Sequence, residues 1–120
     1  MEKDLKDLLV KDLCARLPYE VKVQYEDGIF TIDHISAMYE EVKLNTPNNY
    51  TIDVLEVKPY LFPMSNMTEE QFNEKWELEH SGDMEHLSIP ALDWLNKNHF
   101  DYRGLISKGL AIDATGLNIY

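Results

Sequence analysis

Leu5, Leu8, Leu9 and Leu13 fall at the i, i+3, i+4 and i+8 positions of one helical stripe, and Leu17 continues it one turn on. Lys and Asp fill the opposite face, so the pattern predicts a helix over 2–17 that Pro18 prevents from continuing. The period then changes. Tyr19, Val21, Val23 and Tyr25 alternate with Glu20, Lys22, Gln24 and Glu26, the signature of a half-buried strand. Asp27-Gly28 offers the two positive-φ positions of a type I′ turn. A hairpin folded there pairs Tyr25 with Phe30, Val23 with Ile32 and Val21 with His34 on the apolar face, and sets Lys22 against Asp33 on the other.

Residues 36–44 fit a helix through Ile35, Met38, Tyr39 and Val42, and equally a strand through Met38, Glu40, Val42 and Leu44. Asn45-Thr46-Pro47-Asn48-Asn49 is turn chemistry, and 50–57 returns to strand-favouring types with Tyr50, Ile52 and Val54 on one face. Short antiparallel strands in succession predict a β-meander, of which an SH3-like barrel is the closed form. Pro59 and Pro63 frame an extended Tyr60-Leu61-Phe62, expected to cross the end of the meander.

A second helix is marked at its start. Thr68 as N-cap and Gln71 at N3 make a capping box, and Met67 with Phe72 supplies a hydrophobic staple. Phe72 and Trp76 provide the expected buried face, and Gly82 an end. A third helix is expected after Ser88, with Pro90 in its first turn, burying Leu92, Leu95 and Trp94 and ending near Asn98. A last short helix is expected from a cap at Asp101 to Gly109, closed by Leu105 and Leu110 in a Schellman motif. Residues 111–120 follow as a tail. The reading is one α+β domain over 1–120: an N-terminal helix, a small antiparallel meander, then two to three C-terminal helices.

Charge changes the picture in one place. The chain of 120 residues carries a net charge of −11, which argues against a phosphate-backbone binder. Eight carboxylates against Lys75 concentrate that charge between Glu69 and Asp93. This is either a solvated helix face or an anionic patch that steers a basic partner or imitates a nucleic-acid backbone. No apolar run approaches the roughly 18 residues of a bilayer span. The first residues, Met1-Glu2-Lys3-Asp4, lack the apolar core of a signal peptide. The single cysteine, Cys14, fits a reducing compartment, so a cytoplasmic setting is expected.

Candidate chemistry is sparse. Glu77 and His80 have the Glu-x-x-His spacing of metal carboxylate bundles, with Asp83, Glu85 and His86 nearby, but no matching pair exists on another element. No metal or other cofactor is expected. Cys14 reads as a buried structural thiol, because no histidine lies in its element to serve as a base. His34 is placed on the hairpin's apolar face as a partly buried imidazole, and His99 as a capping or packing residue at a helix end. No phosphate loop, nucleophile elbow, His-Glu-x-x-His or paired Cys-x-x-Cys occurs. Trp94, His99, Asp101, Tyr102 and Arg103 are dense in the types that dominate interface hot spots. With Glu69, Glu70, Glu74 and Glu77 they form the candidate partner-binding set. The alternative is that the aromatics close the core while Arg103 pairs with Asp101 or a neighbouring acid.

Three runs carry a resemblance: residues 11–19 (KDLCARLPY), 57–70 (VKPYLFPMSNMTEE) and 93–106 (DWLNKNHFDYRGLI). They resemble a group of short proteins that recurs in gut bacteria of the Bacteroides type and in their phages and prophages. The group's usual form carries Arg where this chain has Phe62. The resemblance brings no activity with it; it implies a phage or mobile-element setting, in which a small acidic protein acts by binding a host or phage protein. The leading expectation is therefore a non-enzymatic interaction module with no direct nucleic-acid contact. A small enzyme or ligand-binding domain is the rival, with His34, His86, His99, Asp101 and Arg103 converging in a pocket between sheet and C-terminal helices. An acidic DNA mimic, with carboxylates in two rows at phosphate-like spacing, is the third.

Overall fold

The computed structural model describes residues 2–47, 51–79 and 89–120. Helix α1 spans Glu2–Arg16, and Pro18 sits in the 3-10 turn Leu17–Tyr19 that follows it. Strands β1 (Lys22–Tyr25), β2 (Gly28–Ser36), β3 (Glu41–Leu44) and β4 (Thr51–Asp53) form an antiparallel meander. The ambiguous stretch 36–44 is thus the end of β2, a four-residue turn and β3. Strand β5 (Lys58–Pro63) pairs antiparallel with β1 and is an inner strand of the sheet. Helices α2 (Glu69–Glu79) and α3 (Ile89–Lys97) come next, then the short strands β6 (Phe100–Asp101) and β7 (Ile112–Asp113), both parallel to β5.

The sheet order is β4-β3-β2-β1-β5-β6, with β7 also on β5. It is linear among the described residues and does not close into an SH3-like barrel. The peptide between Leu61 and Phe62 places the last two strands. Its carbonyl accepts the Ala114 N–H at 2.8 Å and its N–H donates to the His99 carbonyl at 2.8 Å. The two groups of a trans peptide point in opposite directions, so β6 and β7 flank β5 on opposite sides. The segment expected to cross the end of the meander instead holds it to the rest of the chain. The expected tail contributes β7 and the buried Ala114.

The hairpin turns one position earlier than its Asp-Gly signal implies. Val23 pairs with Phe30 and Tyr25 with Gly28, leaving Glu26 and Asp27 as the loop, with Glu26 at φ 52°. Gly28 is needed for a different reason: a Cβ there lies 2.6 Å from the Phe30 ring, which folds over its backbone. The register moves by two residues, so the faces are kept, but Lys22 opposes Thr31 rather than Asp33. A bulge between Ile32 and His34 then reverses the faces of β2. Ile35, not His34, comes opposite the buried Val42, and His34 is exposed beside Lys43. The expectation of a partly buried His34 fails on that one inserted residue.

The main core joins Leu9 and Leu13 of α1 to Val21, Val23, Ile32, Val42, Val54, Val57, Leu61 and Leu105. A second cluster of Trp94, Leu95 and Phe100 is lined by Phe62, Met67 and Tyr102. Cys14 lies off the buried stripe of α1 and is exposed, against the expectation of a buried thiol. Partial burial raises its thiol pKa, so it is not an activated nucleophile.

The last expected helix does not form, yet its C-terminal cap does. Gly109, at φ 75°, donates to the Ile106 carbonyl, and Leu110 N–H donates to that of Leu105 at 2.9 Å. These are the two bonds of a Schellman motif, closing a single turn. The Asp101 carboxylate accepts the N–H groups of Leu105 (2.8 Å) and Ile106 (2.9 Å), too far along the chain for a helix N-cap.

Candidate functional site

Helix α2 begins as its sequence requires. Thr68 N–H donates to Gln71 Oε1 at 2.9 Å, and Gln71 N–H donates to Thr68 Oγ1 at 3.1 Å. Glu69 and Glu70 in the first turn complement the positive end of the helix. At about 100° per residue, Phe72 and Trp76 share a stripe with Glu69, and Glu70, Glu74 and Glu77 form the stripe beside it. Helix α3 meets α2 on the acidic side, where Trp94 Nε1–H donates to Glu74 Oε1 at 2.8 Å. The aromatic stripe lies on the far side of the helix. Phe72 is 52% exposed and Trp76 49%, which overturns the expectation that they form the buried face. Glu69, Glu70, Glu74 and Glu77 are exposed, and Lys75 Nζ lies 5.7 Å from the centre of the Phe72 ring.

The other half of the candidate set turns inward. Trp94 stacks on Phe100 with ring centres 5.6 Å apart. Asp101 is buried and occupied by the turn it caps. Asp12 and Arg16 are fully buried; Arg16 Nε donates to Asp12 Oδ2 at 2.8 Å and its Nη2 donates to the Phe100 carbonyl at 2.6 Å. Arg103 Nε donates to Asp12 Oδ1 at 3.3 Å and its Nη2 to the Tyr102 hydroxyl at 3.1 Å. Tyr102 in turn donates to Asn96 Oδ1 at 2.9 Å, and both guanidinium groups lie within 5.3 Å of its ring centre. Arg103 thus pairs with an acid 91 residues away rather than with Asp101.

His99 is 7% exposed, at φ 62°, with its ring stacked 3.7 Å from that of Tyr120. Burial, with Arg16 and Lys22 nearby, pushes its pKa down to about 4, so the imidazole is neutral at pH 7. Its Nδ1 is buried without a hydrogen-bond partner among the described residues. The Tyr120 hydroxyl donates to the Tyr60 carbonyl at 2.8 Å and accepts the Lys22 N–H at 2.9 Å; burial lifts its pKa to about 12. Beside this ring pair opens a cleft of about 510 Å³ between the β5–β6 edge and the ends of α2 and α3, with Gln71, Lys97 and Thr115 on its walls.

The rival's catalytic set is dispersed. His99 lines the cleft, whereas Asp101 is taken up by the Leu105–Ile106 turn, Arg103 belongs to the network on Asp12, and His34 lies on the exposed face of β2. His80 and His86, and with them the Glu77–His80 pair and the expected end at Gly82, lie outside the described residues. Among the described residues no group of three His, Cys, Asp or Glu side chains could hold a metal ion. No described helix is long and apolar enough to cross a membrane.

The sequence reading missed Phe72 and Trp76 as surface residues, though a signal was present. Two aromatics one turn apart among four glutamates make a stripe narrower than a core-facing helix carries. Of the cleft walls it named only His99 as a pocket group; the other lining residues come from segments far apart in the chain and leave no local pattern. Comparison with protein-family models, with curated proteins and with solved structures gave no match.

Proposed function

We propose that this protein is a non-enzymatic interaction module whose contact surface is α2, with Phe72 and Trp76 as anchors and Glu69, Glu70 and Glu77 as an anionic rim on one flank, Glu74 being turned to Trp94 of α3. The observation that carries the reading is the half-exposure of two large aromatics on one helix face. Trp and Phe anchors flanked by charge have the composition of a hot spot, in which the aromatics supply affinity and the acids steer the approach. The partner is a host or phage protein with a basic, partly apolar surface, met in the cytosol of a Bacteroides-type host; the three runs of sequence resemblance motivate that setting. A catalytic reading has less support, because its candidate groups do not converge.

The test is affinity capture from host lysate at low and high salt, comparing the native chain with Phe72→Ala/Trp76→Ala. One partner retained at low salt, depleted at high salt and weakened at least about 30-fold by the double variant is the expected result. Equal capture by both chains, or no partner at either salt, overturns the reading.

A further inference from the structure

We infer that the cleft beside His99 and Tyr120 is a binding site for a small aromatic carboxylate. This site stands apart from the aromatic face of α2 and does not depend on that face's role.

Size comes first. A volume of about 510 Å³ lies within the range of pockets that enclose a small organic ligand. Phe62, Phe100 and Tyr120 are among its lining residues, which suits a planar apolar body. Polarity comes next. In a chain with 22 carboxylate side chains against 11 cationic ones, none of the carboxylates lines this cleft. Lys97 is the one charged side chain on its walls and has no ion-pair partner among the described residues. Burial first, and the charges of Arg16 and Lys22 after it, keep the His99 imidazole on this wall neutral. A cation entering here meets repulsion; an anion meets an unpaired ammonium.

The remaining polar groups favour a single carboxylate over a doubly charged phosphate. Gln71 spends its Oε1 on the Thr68 N–H, which leaves its amide NH2 to donate. Lys97 carries the one charge among the lining side chains, while the amides of Asn66, Gln71 and Asn98 and the neutral imidazole add none, so the walls neutralise one charge. His99 also holds a positive φ that costs a non-glycine residue free energy, and buries an unsatisfied Nδ1. Both are costs of the kind that folds retain at working sites.

The experiment is an amide NMR titration of the full chain with benzoate, with benzamide as its uncharged counterpart and inorganic phosphate as an anion without a ring. Expected are saturable shifts at Lys97, His99, Thr115 and Gly116 with benzoate below about 10 mM, and binding of benzamide at least about fivefold weaker. Lys97→Gln removes that difference, and Tyr120→Ala weakens both ligands. No shifts at the cleft with benzoate, equal affinity for benzoate and benzamide, or phosphate binding as tightly as benzoate each overturns the proposal.

Discussion

Asp12 is the residue on which both arginines of the chain converge. It is fully buried, and Arg16 and Arg103 both donate to it. Removing one member of a buried ionic set leaves the others desolvated and unpaired, which is costlier than the net worth of the set. Asp12→Asn is expected to cost about 3–5 kcal/mol in urea unfolding. Arg103→Gln, at a side chain 20% exposed, is expected to cost about 1–2 kcal/mol. Equal, small losses for the two variants contradict the shared-acid arrangement. His99 gives a pH signature. Its folded pKa of about 4 lies below the ordinary 6.5, so the unfolded chain takes up the proton first as pH falls. The stability held by the neutral imidazole is complete above pH 6.5 and is lost progressively down to pH 4. The thermal midpoint of the native chain should fall across that window more steeply than that of His99→Asn, a substitution that tolerates positive φ. Parallel profiles refute the assignment. The residue types of this network were legible in the sequence; their partners were not, because Arg103 reaches back 91 positions to α1.

At the scale of elements, local chemistry is obeyed even where the expected element is absent. The capping box of α2 and the Schellman bonds at Gly109 form as the residue types require, although only one turn precedes Gly109. Hydrogen bonding within a few residues depends little on what surrounds it. Facing and register depend on it strongly. The Asp-Gly pair implied a turn, but the turn falls at Glu26-Asp27, and the Phe30 ring packs over Gly28. Gly28→Ala is expected to cost about 1–3 kcal/mol by overpacking, and Gly28→Ala/Phe30→Leu to recover most of it. If the single variant is neutral in urea unfolding, the glycine is not explained by the ring. The same limit applies to α2: its periodicity named Phe72 and Trp76 as one face, but α3 docks through Glu74 on the other side.

For the whole molecule, β5 is the member that joins the two halves. It pairs with β1 on one edge and receives β6 and β7 from residues 100–113. Deleting residues 112–120 removes β7, the buried Ala114 and the Tyr120 ring over His99. The shortened chain is expected to lose its cooperative thermal transition or to melt well below the full chain by circular dichroism; an unchanged midpoint contradicts the role given to β7. The amino-acid sequence by itself determined the class of the fold, the length of α1, the caps of α2 and of the Gly109 turn, and the aromatic content of the second core. Each of these follows from periodicity or from hydrogen bonds that close within a few residues. The tertiary structure alone decided that β5 is internal, that His34 and Cys14 face outward, that Arg103 is spent on Asp12, and that Phe72 and Trp76 remain at the surface. Those outcomes are set by which distant segments compete for the same buried face, and chain order does not encode the result of that competition locally.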